Sequence, residues 1–239
     1  MFYEKLMEVA NKNEATRGLI DENNAKRLEA LSAHMLRVNE TLNLTAIKDE
    51  DGVILKHLTD SSAIVPFIPK GASVCDIGCG GGFPSLVIAI LRPDTNVFSV
   101  DSVSKKVSYV ENTATLLGLT NERVSNERAE VLGQGKLRES FDIVTARAVG
   151  KLNLISELCL PLVKVGGAFL AMKALTTEGE LNEAMGAIEL LGGKVERVVS
   201  YTLTNGDEEI QRTIIEIRKI KPTPPKYPRN NSQIAKKPL

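Results

Sequence analysis

A glycine-rich turn between two apolar segments is the feature that most restricts how this chain can fold. The stretch VCDIGCGGGFPS contains a short apolar segment, one acidic residue, Asp76, and four glycines within five positions, and the apolar segment Pro84 to Leu91 follows it. Glycine tolerates positive φ and allows a ligand to approach the backbone closely. A strand, a glycine turn and a helix in this order are typical of the first unit of a doubly wound sheet, whose ligand lies beyond the carboxyl ends of the strands.

Strand-like and helix-like segments alternate along the rest of the chain. The pattern predicts strands at Asn96 to Asp101, Phe141 to Ala148 and Ala168 to Lys173. The segments between and around them predict helices at Asp21 to Val38, Pro84 to Leu91, Lys105 to Leu119, Leu152 to Leu162 and Glu178 to Leu191. Two further strands, Val195 to Leu203 and Gln211 to Ile220, lie close together and predict an antiparallel pair at the sheet edge. We expect an α/β fold with a mainly parallel sheet and helices on both faces.

The net charge of zero conceals an uneven distribution of charge. Seven of the 30 basic residues lie between Arg218 and Leu239, where no acidic residue occurs. The rest of the chain carries 23 basic and 30 acidic residues, a net charge of −7. An acidic body with a basic end is compatible with a polyanionic partner and also with a merely solvated tail. Because residues 221–239 are rich in proline and lack acids, we expect an extended tail there.

Composition excludes several classes of protein. The three cysteines, Cys75, Cys79 and Cys159, are few and odd in number, which argues against a disulfide framework and is typical of a reducing cytoplasm. Only His34 and His57 could add imidazole ligands, so we expect no metal site. The sequence has no apolar run of about 18 residues and no signal-peptide pattern at its start, so we expect a cytoplasmic protein without a membrane span.

Two classes of ligand fit a thin glycine turn, and they make opposite demands on Asp76. The dinucleotide fingerprint G-x-G-x-x-G is incomplete because Phe83 stands at its third glycine position. A pyrophosphate would also be repelled by the nearby carboxylate. S-adenosylmethionine carries an ammonium and a sulfonium, which Asp76 would attract, and Asp101 at the end of the next strand can accept hydrogen bonds from ribose hydroxyls. We therefore favour S-adenosylmethionine over a nicotinamide cofactor or a purely structural turn.

The residues after the fourth strand restrict the methyl acceptor. Methyl transfer is an in-line displacement, to which correct alignment contributes much of the rate. Amine methyltransferases usually carry an Asp/Asn-Pro-Pro-Tyr/Phe motif at this position, whereas this chain has TARAVG from Thr145 to Gly150. Cys159 falls within a predicted helix and the other two cysteines flank the glycine turn, so no cysteine is placed to activate a carbon. A nucleophile with its own lone pair, such as guanine N7, remains and needs no general base.

Several motifs together carry a resemblance to a known family. They are LNLTAI (Leu42 to Ile47), HLTDS (His57 to Ser61), DIGCGGGFPS, VDSVSKKVSYV, ERAE (Glu127 to Glu130), FDIVTARAV, ELCLPLVKVGG and AMK. With these motifs the chain resembles the bacterial small-subunit rRNA guanine-N7 methyltransferase G family, also called glucose-inhibited division protein B, from about Leu42 to Lys173. Two departures occur: Lys105-Lys106 replaces a Lys-Arg pair, and Ser85 stands where glycine is common.

The resemblance implies a cytoplasmic enzyme that uses S-adenosylmethionine to methylate N7 of one guanine in 16S rRNA. It implies a Rossmann-like class I methyltransferase fold with a mostly parallel seven-stranded sheet and an N-terminal helical extension. We expect the extension at residues 1–65, the methyltransferase domain at 66–220 and the basic extended tail at 221–239. The expected partner is 16S rRNA or the small ribosomal subunit, with no membrane partner, and the protein is expected to be a monomer.

Site residues follow partly from the residues themselves and partly from the resemblance. The glycine turn and strand ends point to cofactor contacts by Asp76, Gly78, Gly80, Gly82 and Asp101, and the resemblance implies contacts by Gly78, Phe83, Ala129, Glu130 and Arg147. The candidates for positioning the target base are Arg147, Asn43 and Lys173, with the catalytic residues otherwise unassigned. The candidates for RNA binding are Arg128, Lys173, Lys226 and Arg229. Two other functions stay open: a small-molecule methyltransferase, and a non-enzymatic rRNA-binding assembly factor.

Overall fold

A central sheet with helices on both faces forms the molecule, for which the computed structural model describes residues 1–174 and 178–239. The strands are β1 (Ser73–Ile77), β2 (Asn96–Val100), β3 (Glu122–Ser125), β4 (Phe141–Arg147), β5 (Val163–Lys173), β6 (Gly193–Thr204) and β7 (Glu209–Lys219). The longer helices are α1 (Phe2–Lys12), α2 (Glu22–Leu42), α5 (Ser85–Leu91), α6 (Ser104–Leu116), α8 (Leu152–Cys159) and α9 (Glu178–Leu190). Shorter helices are α3 (Glu50–Val53), α4 (Asp60–Ser62), α7 (Ala129–Gln134) and α10 (Asn231–Lys236).

The strand order is β3-β2-β1-β4-β5-β7-β6. The pairs from β3 to β5 are parallel, whereas β7 runs antiparallel to both of its neighbours, β5 and β6. This arrangement confirms the predicted α/β class, the mainly parallel sheet and the antiparallel pair at the edge. The chain order reverses at β1, between β2 and β4, and ligands of such sheets bind at this switch point.

The structure differs from the sequence pattern at two strands, β5 and β3. β5 begins at Val163, five residues before the predicted start at Ala168, because Val163 already pairs with Phe141 before a register irregularity near the two glycines. The edge strand β3, with only the residues ERVS, was not predicted, because its two adjacent charged residues, Glu122 and Arg123, hide the strand pattern. In both cases pairing with a neighbouring strand, rather than the local sequence, decides the conformation.

The N-terminal helices pack directly on one face of the sheet. Buried leucines of α2, including Leu28 and Leu31, belong to the same apolar cluster as Leu86 of α5 and Val74 of β1. Between α3 and α4 the chain forms a π-helical turn, Ile54–Thr59. Such turns are rare and are often found at functional sites. None of the helices in the described part of the chain combines the length and the apolar composition that crossing a membrane would require.

The C-terminal segment differs from the extended tail that its composition predicts. Residues 221–239, here called the C-terminal strap, include the helix α10 and pack on the face of the sheet opposite the N-terminal helices. Tyr227 and Ile234 are buried in that apolar cluster. Arg229 forms a bidentate pair with Glu157 of α8, with N–O distances of 2.8 and 2.6 Å. The prediction of an extended tail is therefore wrong, because these three side chains find partners on the body.

The pair between Arg229 and Glu157 generates a prediction about stability. Glu157 is fully buried and also accepts a hydrogen bond from the backbone N–H of Arg229 at 2.9 Å. Replacement Arg229→Met leaves an uncompensated buried carboxylate, so we expect a loss of about 3 kcal/mol of unfolding free energy in urea. The double variant Glu157→Gln/Arg229→Met should recover most of this loss, because a neutral amide oxygen still accepts the backbone N–H. A double variant as unstable as Arg229→Met would contradict this account.

Candidate active site

The glycine turn lies at the carboxyl end of β1, at the switch point of the sheet. Gly78, Gly80 and Gly82 have φ values of 72°, 54° and 82°, in the left-handed region that favours glycine. The N–H of Gly78 donates to the carbonyl of Val100 at 2.8 Å, and the N–H of Gly80 donates to Oδ2 of Asp101 at 3.0 Å. These two hydrogen bonds fix the turn to the end of β2.

Asp76 is an incompletely paired acid beneath this turn. Its Oδ2 accepts the backbone N–H of Ser85 at 3.3 Å, while Oδ1 has no hydrogen-bond partner within the described residues. Burial raises the pKa of Asp76 to about 7, against the opposing effect of the positive charge of Arg147. A buried acceptor without a partner is uncommon in native proteins and calls for a ligand or an ion to explain it. A cationic ligand fits this requirement, whereas an anionic one does not.

A small cavity opens on the β2 side of the turn. Its volume is about 140 Å³, and it is lined by Ile77, Gly78, Val100, Asp101, Ser102, Glu127, Arg128, Ala129, Glu130, Val149, Leu158 and Asn231. Asp101 is held by the N–H groups of Gly80 and Val103, which orient its carboxylate at the mouth of the turn. Ala129 and Glu130 begin α7 directly beyond it. Four of the predicted cofactor residues therefore share one cavity: Gly78, Asp101, Ala129 and Glu130.

A second, larger cavity lies on the other side of the chain segment that follows β4. Its volume is about 520 Å³, and its lining includes Ile47, Lys56, His57, Asp60, Arg147, Ala148, Gly150, Met172, Lys173, Ala174, Glu180 and Arg212. Four basic and two acidic side chains line it, so the cavity carries a net positive charge. Arg147, Ala148 and Gly150 line the larger cavity, whereas Val149 lines the small one. Residues 147–150 therefore form a wall that the two cavities share. A Cβ atom at Gly78 would lie 2.9 Å from Val149, so this shared wall packs directly on the glycine turn.

Asp60 is the central acceptor of the larger cavity. Arg147 donates to its Oδ2 at 3.1 Å, while Tyr201 lies 3.2 Å and Arg212 lies 3.4 Å from its Oδ1. Burial and the nearby carboxylate of Asp60 raise the pKa of the Tyr201 phenol, so Tyr201 stays protonated and donates. Tyr201 and Arg212 are cross-strand partners on β6 and β7. Three separate parts of the chain therefore meet at one carboxylate.

His57 is neutral and fixed in one tautomer. Burial and the positive charge of Arg147 lower the pKa of His57 to about 3. Arg147 can only donate, so Nδ1 of His57 accepts its N–H at 3.2 Å and Nε2 donates to Oγ1 of Thr45 at 2.9 Å. The His57 ring stacks on Phe83 with centroids 4.6 Å apart. Phe83 therefore supports His57 from beneath and is itself buried.

The remaining predicted residues occupy different places. Asn43 ends α2 in the left-handed conformation, with φ of 50°, and is exposed outside the lining of either cavity. Lys173 lies in the larger cavity and pairs with Glu180 at 2.6 Å. Arg128 is exposed at the rim of the small cavity. In the strap Lys226 is exposed, but Arg229 is already paired with Glu157 inside the chain.

Sequence reasoning missed the partners that hold this site together. Asp60, Tyr201 and Arg212 were not among the candidates, although Asp60 belongs to the HLTDS motif that includes His57. A buried acid three residues after His57 on a helical turn was a usable signal. Tyr201 and Arg212 gave no local signal, because their proximity to Asp60 arises only from the pairing of β6 with β7.

Metal chemistry finds no support in the described residues. No group of three or more His, Cys, Asp or Glu side chains among residues 1–174 and 178–239 is arranged to hold a metal ion. The three cysteines are free and buried, and burial raises the thiol pKa of each. They therefore behave as small apolar side chains at neutral pH.

Known proteins share both the sequence and the fold. The family described as rRNA small subunit methyltransferase G matches residues 24–212. A ribosomal RNA small subunit methyltransferase G from Lactobacillus acidophilus is 45% identical over 213 residues, covering 86% of this chain and 87% of that protein. Its counterpart from Listeria monocytogenes is 48% identical over 204 residues, covering 84% and 85% of the two chains. The resemblance noted from the motifs is confirmed.

Solved structures agree on the fold. A SAM-dependent methyltransferase from Aquifex aeolicus aligns with a TM-score of 0.53 at 16% identity, covering 73% of this chain and 96% of that one. This likeness concerns the fold alone and confirms the predicted methyltransferase architecture with a seven-stranded sheet.

The raised pKa of Asp76 predicts a pH-dependent stability difference. In the unfolded chain this carboxyl titrates near 3.8 and in the folded protein near 7, so the folded state holds an extra proton between these values. Stability from this group is lost as the pH rises through 7, whereas Asp76→Asn stays neutral throughout. We expect Asp76→Asn to exceed the parent protein by on the order of 4 kcal/mol at pH 8 and by little near pH 4. Urea unfolding across this range measures it; a difference independent of pH would contradict the assignment.

Proposed function

The chain belongs to the rRNA small subunit methyltransferase G family, and we propose that it transfers a methyl group from S-adenosylmethionine to N7 of a guanine in 16S rRNA. The observation that carries this proposal is the wall formed by residues 147–150, which separates a small acidic-edged cavity from a larger basic one. A methyl donor in the first cavity and a base in the second would be close neighbours across this wall. Such an enzyme would act in the cytoplasm, where the small ribosomal subunit is found.

The small cavity and the glycine turn offer groups that match the donor. Asp101 supplies carboxylate oxygens for the ribose, and Ala129 and Glu130 lie farther out, where the adenine would extend. The free Oδ1 of Asp76 supplies the negative charge that an ammonium or a sulfonium needs. Gly78 and Gly80 have no side chain, so the cofactor can approach their backbone closely. When bound, S-adenosylmethionine supplies an electrophilic methyl group on sulfur.

The larger cavity favours an acceptor that has no proton to lose. Asp60 is occupied by donors from Arg147, Tyr201 and Arg212, and Nδ1 of His57 accepts from Arg147. Both groups already accept hydrogen bonds or pair with basic side chains of the described residues, so neither is free to serve as a general base. Guanine N7 offers a lone pair and requires only alignment with the methyl group and sulfur. Glu180, the other acid of this cavity, is likewise occupied by Lys173 and by the N–H of Leu152, so the state of these three groups supports N7 over an exocyclic amine.

Basic side chains around the larger cavity suit a polyanionic substrate. Arg147, Lys173 and Arg212 line it, and Arg128 lies exposed at the rim of the small cavity. We propose that these residues, together with the exposed Lys226, contact RNA phosphates, whose binding dominates the affinity of most RNA-binding proteins. Arg229 is left out of this surface, because it lines neither cavity and its guanidinium is paired with buried Glu157.

A direct test is methyl transfer with defined acceptors. The protein should be incubated with methyl-labelled S-adenosylmethionine and, separately, with small subunits, naked 16S rRNA and a metabolite extract. The proposal expects label in 16S rRNA at N7 of one guanine, located by nucleotide mapping. Label confined to the metabolite extract would instead support a small-molecule methyltransferase. RNA binding with no transfer to any acceptor would support an assembly factor.

Asp76 should control cofactor affinity and its pH dependence. A cationic ligand favours the carboxylate, so binding should release a proton at pH 6 and affinity should rise up to tenfold per pH unit below 7. Asp76→Asn should weaken S-adenosylmethionine binding by about 10- to 100-fold at pH 8 and remove the pH dependence. Calorimetry in buffers of different ionisation enthalpy measures both effects. Binding by the variant that equals the parent protein would exclude an electrostatic role for Asp76.

Arg147 should affect methyl transfer more than cofactor binding. Its guanidinium is fixed by Asp60, by the carbonyl of Lys56 and by His57, and it lies in the wall beside the acceptor cavity. We expect Arg147→Met to lower kcat with rRNA by about 100-fold while the Kd for S-adenosylmethionine changes less than threefold. The matched control is Arg123→Met, since Arg123 is exposed near the amino end of the sheet. Equal kcat values for the two variants would exclude Arg147 from the transfer step.

A further inference from the structure

The C-terminal strap passes directly beside the small cavity. After β7 it crosses the turn that follows α7, where Arg138 donates to the carbonyls of Thr223 and Tyr227 at 2.6 and 2.7 Å. Gln134 of α7 donates to the carbonyl of Pro228 at 2.8 Å. α7 begins with the two residues that border the small cavity, Ala129 and Glu130. The strap is therefore fastened to the same helix that forms one side of this cavity.

Further contacts fix the strap after this crossing. The pair of Arg229 with Glu157 precedes α10, and the buried Ile234 lies within α10. At the end of the strap the amide of Asn153 in α8 donates to the carbonyl of Leu239 at 3.1 Å. Gly133 of α7 leaves room for Pro228, since a Cβ atom there would lie 2.9 Å from Cγ of the proline. These contacts hold the first residue of α10 in one place.

That first residue, Asn231, lines the small cavity. It lies there together with Asp101, Arg128 and Glu130, although it is about 130 residues from Asp101 in sequence. Its side chain is exposed and its carboxamide offers a donor and an acceptor in one plane. The edge of adenine presents a donor at N6 beside an acceptor nitrogen, and asparagine pairs with that edge through two hydrogen bonds. Asp101 marks the proposed ribose position, and Asn231 shares this cavity with Ala129 and Glu130, where the base is proposed to extend.

We infer that the C-terminal strap is part of the cofactor site and that Asn231 binds the adenine edge of S-adenosylmethionine. This inference rests on the proposed use of that cofactor and adds a residue from outside the glycine turn and the strand ends. On this inference, the packing of the strap affects cofactor binding. Holding Arg229 and Ile234 in place positions Asn231, so the affinity for the cofactor depends on how the strap is docked.

The strap could contact RNA or bind the cofactor, and its positive charge does not distinguish these two functions. A strap that only contacts RNA would change RNA affinity and its salt dependence and leave cofactor binding intact. A strap that closes the small cavity would change binding of the adenosine part and leave binding of the methionine part untouched. Comparing the effects of a strap variant on binding of the adenosine part and of the methionine part therefore tests the inference.

The test uses the full-length variants Asn231→Ala and Ser232→Ala. Ser232 is the next residue on α10, is exposed and does not line the cavity, so it is the matched control. Calorimetry measures S-adenosylmethionine binding, and competition measures adenosine binding. We expect Asn231→Ala to weaken both ligands by the same factor, about 3- to 10-fold, and Ser232→Ala to bind as the parent protein does. Both variants should unfold at the parent urea midpoint, because neither side chain is buried.

The outcomes distinguish the inference from the proposed function. If the parent protein binds S-adenosylmethionine and Asn231→Ala binds it equally well, the inference is wrong and the proposed function stands. A loss of RNA affinity in Asn231→Ala with unchanged cofactor affinity would also overturn it and would assign the strap to RNA. If the parent protein binds no S-adenosylmethionine, both the proposed function and the inference fail. A loss for S-adenosylmethionine without a matching loss for adenosine would place Asn231 away from the adenine and overturn the assignment.

Discussion

The buried carboxylate of Asp60 is the interaction on which the geometry of the larger cavity depends. Arg147 from the end of β4 and Tyr201 and Arg212 from the edge hairpin all meet it, and it lies on the helical segment from the N-terminal part of the chain. A buried carboxylate is costly unless nearby donors compensate it, so these donors cannot leave without a large penalty. The π-helical turn that precedes Asp60 carries His57 into contact with Arg147. One acid thus fixes the guanidinium that faces the proposed acceptor.

Asp76 on β1 is a buried carboxylate that lacks such compensation. It is equally buried, yet one of its oxygens has no partner within the described residues, and its pKa is raised to about 7. Asp60 is compensated inside the protein and can serve as a fixed support. Asp76 is left uncompensated, which lowers the stability of the free protein at neutral pH and leaves a negative charge available to a cation. The two carboxylates therefore differ in compensation: Asp60 is paired inside the protein, whereas Asp76 keeps one oxygen without a partner within the described residues.

Sequence patterns predicted the parts of this arrangement that depend on local chemistry. The glycine turn, Asp101 at the end of β2 and Arg147 at the end of β4 are local features, because strand ends of a parallel sheet meet at one edge. The strap was predicted wrongly, since Tyr227 and Arg229 look like tail residues until α8 provides Glu157 as a partner. Tyr201, Arg212 and Asn231 could not be predicted, because each reaches its cavity through pairing or docking that is remote in sequence. Cofactor and RNA contacts of the individual residues stay predictions.

Both cavities use the sheet in the same way and are completed by chain segments from outside the central strands. The carboxyl edge of the sheet carries the glycine turn, Asp101 and Arg147. Without further segments this edge would be open to water on both sides of residues 147–150. The N-terminal π-helical turn and the edge hairpin enclose the larger cavity, and the C-terminal strap borders the smaller one. Excluding water strengthens charge interactions inside a site. The N-terminal segment and the C-terminal strap therefore each supply part of the lining of one cavity at an edge that the sheet alone leaves open, and on the proposed function each would also contact a substrate.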